Sequence, residues 1–182
     1  MTETSRRAVF LDRDGVLNEL VRRDGAPVSP RRLEDFRLRE GASEAVRRLR
    51  GCGLLVFVVT NQPDIARGGL APEHLARMSE IIEQELNIDE VVTCPHDDGD
   101  RCTCRKPAPG MLLELATRWN VALDASFMVG DSWRDVEAGR RAGCRTILVD
   151  RARQAGEADV VVGSLAEAVE VIERTQGGGW RQ

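Results

Sequence analysis

The stretch Ala8-Val9-Phe10-Leu11-Asp12-Arg13-Asp14-Gly15 decides the reading of the fold. Four apolar residues run directly into two acids, with a glycine behind them. A short continuous apolar run of this kind reads as a strand buried on both faces, and such strands belong to parallel sheets covered by helices. The rest of the chain supplies the other pieces. Leu54–Val59 is a second apolar run, closed by Thr60-Asn61. Glu90–Thr93, Ser126–Gly130, Arg145–Val149 and Asp159–Val162 are further strand candidates. Between them lie helical patterns. Gly41–Arg50 puts Ala42, Ala45, Val46 and Leu49 on one stripe, and Pro72–Leu86 does the same with Leu75, Met78, Ile82 and Leu86. Pro109–Trp119 starts with proline in its first turn, and Ser132–Ala142 is closed by Gly143. Ser164-Leu165-Ala166-Glu167 is a capping box that opens a last helix. Strand and helix alternate, which predicts an α/β sandwich with a mainly parallel sheet.

The size fits this reading. A chain of 182 residues is enough for one core, and we expect a single domain over 1–176 with a Gly-rich, disordered tail at 177–182. No run approaches the ~18 apolar residues of a membrane span. The Ala8–Leu11 run is too short for a signal peptide, so the expectation is a cytoplasmic, monomeric protein with no membrane partner. The net charge of −4 argues against a nucleic-acid binder. The 26 basic residues comprise 25 Arg and one Lys, Lys106, which marks that position for attention.

Ligands of parallel sheets sit at the carboxyl ends of the strands. The residues to question are therefore Asp12, Thr60, the loop after Cys94, and Asp131. Asp12 and Asp14 stand two apart in an extended segment, so both carboxylates can face one site. They suit nucleophilic and acid/base work, metal binding, or simply a turn. Thr60 and Asn61 can donate hydrogen bonds to an anion, or can merely end a strand. Arg105 and Lys106 can hold phosphoryl oxygens or form a solvated basic pair. Asp131 and Asp135 can complete a Mg²⁺ site, or Asp135 can cap a helix. Cys94, His96, Cys102 and Cys104 place four metal-binding side chains within eleven residues. That density, without a secretion signal, points to a tetrahedral Zn²⁺ site. Cys52 and Cys144 read as core residues and His74 as a surface histidine.

Taken together, four motifs resemble the haloacid dehalogenase-like hydrolase superfamily. They are Asp12-Arg13-Asp14-Gly15-Val16-Leu17-Asn18, Thr60-Asn61-Gln62, Lys106-Pro107, and Gly130-Asp131 with Asp135. The zinc residues narrow the resemblance to the subgroup of heptose-1,7-bisphosphate 7-phosphatases and histidinol-phosphate phosphatases. Ile65-Ala66-Arg67-Gly68, Cys94-Pro95-His96, Cys104-Arg105-Lys106-Pro107 and Pro109-Gly110-Met111 carry it. The chain departs from that subgroup at Glu19–Pro27, where Gly-Tyr-Val is usual, and at Pro63-Asp64, where Ser-Gly is usual.

The resemblance implies a Rossmann-like three-layer sandwich without a large cap domain, and with a zinc-stapled loop. It implies a Mg²⁺-dependent phosphatase acting on a small sugar phosphate. Asp12 would be the nucleophile and Asp14 the acid and base. Mg²⁺ would be held by Asp12, the Asp14 carbonyl and Asp131. Thr60, Asn61 and Lys106 would stabilise the phosphoryl group, Arg105 would contact the rest of the substrate, and Asp135 would orient Lys106. The first substrate reading is a heptose bisphosphate; the short zinc loop keeps histidinol phosphate as the alternative. A non-catalytic zinc-stapled module would lack one of Asp12, Asp14, Lys106 or Asp131, and all are present. From spacing alone, a metal on Cys104 would fix the backbone beside Arg105 and Lys106, making zinc structural yet necessary for activity.

Overall fold

The computed structural model describes residues 5–149 and 157–177. The first strand, β1 (Ala8–Leu11), is buried along its whole length, as its unbroken apolar run requires. After it come a small antiparallel hairpin of β2 (Val21–Arg23) and β3 (Ala26–Val28), helix α1 (Ala42–Gly51), and strand β4 (Leu55–Asn61). Helix α2 (Pro72–Leu86) leads to β5 (Glu90–Cys94), and helix α3 (Gly110–Trp119) to β6 (Phe127–Gly130). Helix α4 (Trp133–Ala142), strands β7 (Arg145–Val149) and β8 (Val160–Val162) and helix α5 (Leu165–Gly177) complete the order.

Six strands form one parallel sheet in the order β5-β4-β1-β6-β7-β8. β1 lies inside it, with Phe10 opposite Phe57 on one side and Met128 on the other. The chain leaves β1 in both directions, so the crevice at its carboxyl end is the switch point where α/β sheets bind ligands. The period of two sorts the side chains. Val9 and Leu11 pack with Val46 and Leu49 of α1, Met78 and Ile82 of α2, and Val169 and Ile172 of α5. Ala8 and Phe10 face the other way, onto Met111, Leu112 and Leu115 of α3. The expected three layers are thus present.

Two differences from the expectation matter for function. Residues Glu19–Pro27, where the chain departs from its subgroup, run into a hairpin over Val21–Val28 whose turn is Asp24-Gly25, with φ of 51° and 80°. Two consecutive positive φ values are what a tight hairpin turn needs, and Asp-Gly supplies them. β4 extends through Thr60 to Asn61, so both residues belong to the sheet rather than to the turn after it. The tail beyond Gly177 lies outside the described residues.

Candidate active site

The carboxyl ends of β1, β4 and β6 open into one cleft of about 400 Å³. Asp12, Asp14, Thr60, Asn61, Arg105, Lys106 and Asp131 all line it, together with Asp135. Every residue singled out for phosphoryl chemistry therefore reaches a single site.

Asp12 continues β1, its N–H bonded to the Val129 carbonyl at 2.9 Å. The loop then closes on itself, with Leu17 N–H on the Arg13 carbonyl at 2.8 Å and Gly15 N–H on the Asn18 carbonyl at 2.9 Å. Gly15 sits at φ +87°, and a Cβ there would come within 2.6 Å of Asp131 Oδ2. Glycine is needed at this position for both conformation and space. It lets the Asp131 carboxylate close on the main chain next to Asp14.

Lys106 is only 2% exposed. Its ammonium donates to Asp12 Oδ1 at 2.6 Å and to the Val59 carbonyl at 2.7 Å, and contacts Asp135 Oδ1 at 2.6 Å. An ammonium has three hydrogens. In this arrangement all three have protein partners. Asp135 turns its other oxygen to the Ser132 N–H at 3.0 Å, within the capping box of α4. The capping and the Lys106-orienting readings of Asp135 are both satisfied, one by each oxygen. A Cβ on Gly130 would lie 2.2 Å from Asp135, so only glycine allows this approach.

Asn61 reaches the site differently from the expectation. Its amide pairs with the peptide of Lys106 in both directions, Nδ2 to the carbonyl at 2.9 Å and Lys106 N–H to Oδ1 at 3.0 Å. These two bonds use the amide oxygen and one amide hydrogen of Asn61.

Burial shifts the ionisation of the pair. Asp12 is pushed up to about 8, chiefly by desolvation, with Asp135, Asp14 and Asp131 adding to the rise and Lys106 opposing it. Burial opposes the charge on Lys106 too, but the Asp12 and Asp135 carboxylates outweigh it and hold the ammonium above its ordinary value. Asp12, Asp131 and Asp135 each bring an oxygen to within 4.8 Å of the others. A convergence of carboxylate oxygens of this kind suits a hard, oxygen-seeking divalent cation.

Two residues that sequence reasoning missed hold Asp14. Arg13 is fully buried and grips both Asp14 oxygens, Nε to Oδ2 at 3.1 Å and Nη2 to Oδ1 at 3.0 Å. Its guanidinium lies 5.9 Å from the Phe36 ring centre. Gln62, 2% exposed, donates to Asp14 Oδ2 at 2.7 Å and to Thr60 Oγ1 at 2.8 Å. The period of two that places Thr60 beside Gln62 was a usable signal. Nothing in the sequence showed that Arg13 is buried.

The second cluster joins Cys94, His96, Cys102 and Cys104. Cys94 Sγ lies 3.1 Å from Cys104 Sγ and 3.6 Å from Cys102 Sγ, and His96 Nδ1 lies 3.3 Å from Cys104 Sγ. Ligands about 2.3 Å from a tetrahedral zinc stand about 3.7 Å apart, so the group has the dimensions of such a site. Burial raises the Cys94 thiol well above its ordinary range, and zinc would have to displace that proton. The cluster is tied to the cleft at both ends. The Cys94 carbonyl accepts the Gln62 N–H at 2.8 Å, and Cys104 leads directly into Arg105 and Lys106.

Arginines surround the mouth. Arg67 binds Asp97 through two bonds of 2.6 and 2.5 Å, and Arg105 donates to Asp98 at 2.8 Å. Arg67 holds Asp97 at about 2, helped by the Asp98 N–H. Arg134 stacks on Trp133, its charge 5.0 Å from the ring centre. The hairpin supplies the opposite wall through Leu20, Pro27, Val28 and Ser29. Arg31, just after it, is bonded to Asp64 at 2.6 and 2.7 Å, so the unusual Pro63-Asp64 pair fastens the hairpin side to the β4 side. Cys144 is buried as expected, Cys52 is half-buried, and His74 is half-buried against the Arg31 carbonyl.

A HAD-hydrolase-like family model matches residues 103–168. A D-glycero-beta-D-manno-heptose-1,7-bisphosphate 7-phosphatase of Rhodopseudomonas palustris is 40% identical over 150 residues, covering 76% of this chain and 80% of that protein. The enzyme of the same description from Pasteurella multocida is 33% identical over 92% of this chain and 97% of its own. Among solved structures, the D,D-heptose 1,7-bisphosphate phosphatase of B. bronchiseptica, complexed with magnesium and phosphate, superposes with a TM-score of 0.81. It is 31% identical and covers 92% of this chain and 98% of that one. No helix among the described residues is long and apolar enough to cross a membrane.

Proposed function

This chain belongs to the haloacid dehalogenase-like hydrolases, among the heptose-1,7-bisphosphate 7-phosphatases, and on that premise we propose that it hydrolyses the 7-phosphate of D-glycero-D-manno-heptose 1,7-bisphosphate. The chemistry is that of a phosphoric monoester hydrolase. The observation that carries it is the buried Lys106 ammonium set 2.6 Å from Asp12, in a cleft that also holds Asp14, Thr60 and Asp131.

Asp12 attacks phosphorus, and its new P–O bond replaces the bond to the sugar oxygen. Asp14 gives a proton to that departing oxygen. The resulting carboxylate then takes a proton from water, which attacks the aspartyl-phosphate and returns Asp12 as a carboxylate with phosphate released. Lys106 opposes the burial penalty on the Asp12 charge and adds its field to the transferring oxygens. Asn61 fixes the peptide of Lys106, and Thr60 offers its hydroxyl hydrogen to the phosphoryl group. Asp12, Asp131 and the Asp14 carbonyl would hold Mg²⁺. When bound, the cation neutralises the nucleophile and the phosphoryl oxygens together. Cys94, His96, Cys102 and Cys104 would hold zinc, which keeps Arg105 and Lys106 in place.

A bisphosphate needs a second anion site, and Arg67, Arg105 and Arg134 around the mouth suit the phosphate that is not transferred. The same reading makes the protein a cytoplasmic monomer, where a reducing milieu keeps its clustered cysteines free for metal. The test is kcat/KM on the heptose bisphosphate, its monophosphates and histidinol phosphate under saturating Mg²⁺. A preference for the bisphosphate supports the assignment; a preference for histidinol phosphate overturns it.

A further inference from the structure

We propose that Gln62 is a positioning residue of the phosphoryl transfer, holding the Asp14 carboxyl group where it can protonate the leaving oxygen. The inference rests on the reading of Asp14 given above.

Asp14 receives four N–H donors: Arg13 Nε and Nη2, Asn18 Nδ2 at 3.0 Å, and Gln62 Nε2 at 2.7 Å. Three of them come from its own loop, which turns as one unit from Arg13 to Asn18. Of the four, Gln62 alone comes from outside that loop, from the residue that follows β4, and it makes the shortest bond. It therefore sets the position of Asp14 relative to β4, where Thr60 and the phosphoryl site lie. The structure turns the NH₂ group of the amide to Asp14 Oδ2, the oxygen that also receives Arg13 Nε. The second amide hydrogen goes to Thr60 Oγ1, which stops the amide from rotating. Thr60 then serves as acceptor to Gln62, and its own hydroxyl hydrogen is left for the cleft. The Gln62 backbone is anchored in turn on the Cys94 carbonyl. An error in this one side chain would move Asp14 against the substrate oxygen, and such displacements weigh heavily on proton transfer.

The test compares Gln62→Met with wild type on a sugar phosphate and on p-nitrophenyl phosphate, whose leaving group departs without a proton. kcat/KM is the quantity to read, since it reports the steps up to leaving-group departure. The expected loss is about 10- to 100-fold on the sugar phosphate, the cost of one hydrogen bond to a charged group. On the aryl phosphate it is about threefold or less, as expected for a role confined to the proton. A general disturbance of the cleft would lower both equally, and that result, or no loss on either, overturns the proposal. Gln62→Glu sets a carboxylate against Asp14 without changing shape and gives the same comparison if the Met variant does not fold. Asp14→Asn separates the premise: if it retains normal kcat/KM on the sugar phosphate, the role of Asp14 falls, whatever Gln62 does.

Discussion

Replacing Lys106 by arginine keeps the charge and changes only its shape. The ammonium sits 2% exposed between three oxygens, Asp12 Oδ1 at 2.6 Å, Asp135 Oδ1 at 2.6 Å and the Val59 carbonyl at 2.7 Å. A single nitrogen sends three hydrogens outward in a tripod, whereas a guanidinium spreads its donors in one plane. Arginine would forfeit at least one bond to a charged or carbonyl acceptor and would push its larger head into a filled space. Overpacking of this kind costs about 1–3 kcal/mol in stability. The catalytic cost is of comparable size, because Asp12 must shift to make room. A misplacement of about 1 Å lowers turnover on the order of 10²-fold. Phosphate release under saturating Mg²⁺ and substrate gives kcat, and urea unfolding of the zinc-loaded protein gives stability. We expect kcat about 10²-fold down with the fold retained. Lys106→Arg within about threefold of wild type would refute the reasoning, since it would mean that the tripod geometry is irrelevant.

Other predictions follow from the same contacts. Zinc removal lowers turnover even with Mg²⁺ in excess, because the loop that carries Arg105 and Lys106 is fastened at Cys94 and Cys104; full activity in a verified zinc-free protein would contradict this. Asp14→Ala destabilises the fold by about 3–5 kcal/mol, the cost of leaving the buried Arg13 charge without its partner. A melting temperature equal to that of wild type would disprove it. Mg²⁺ affinity depends on pH with a definite sign. In the metal-free protein the Asp12 carboxyl is raised to about 8 by burial and its carboxylate neighbours, so the folded state holds that proton more tightly than the unfolded chain. The cost of ionised Asp12 is complete above that value and is relieved as pH falls toward the ordinary carboxylate range. Mg²⁺ must compete with this proton, so its apparent affinity falls about tenfold per pH unit below about 8. Calorimetric titrations showing no pH dependence would count against the assignment.

The sheet was legible because its signals are local. Ala8–Leu11 and Leu54–Val59 had to be buried strands, and the acids and hydroxyls at their ends had to share one edge. The cluster of Cys94, His96, Cys102 and Cys104 was legible for the same reason, being crowded into one loop. The hairpin was missed although Asp24-Gly25 carries a strong turn signal; its strands are three residues each, too short to show alternation. Arg13 was missed because its burial depends on Asp14, Met78 and Phe36, three groups far apart in the chain or hidden by the loop's turn. The pairing of Asn61 with the Lys106 peptide was not legible, since a contact across 45 residues is a tertiary fact. Charge counting could mark Lys106 as unusual, but only the structure supplies its three acceptors.

The central claim is that Asp12 takes the phosphoryl group. It is tested most directly by acid-quenching Asp14→Asn during turnover of p-nitrophenyl phosphate, whose leaving group needs no proton, and weighing the peptide that contains Asp12. With the second step slowed, the account predicts that this peptide gains the mass of one phosphoryl group, and that Asp12→Asn abolishes the gain. A protein that releases phosphate while this peptide stays unmodified would contradict it.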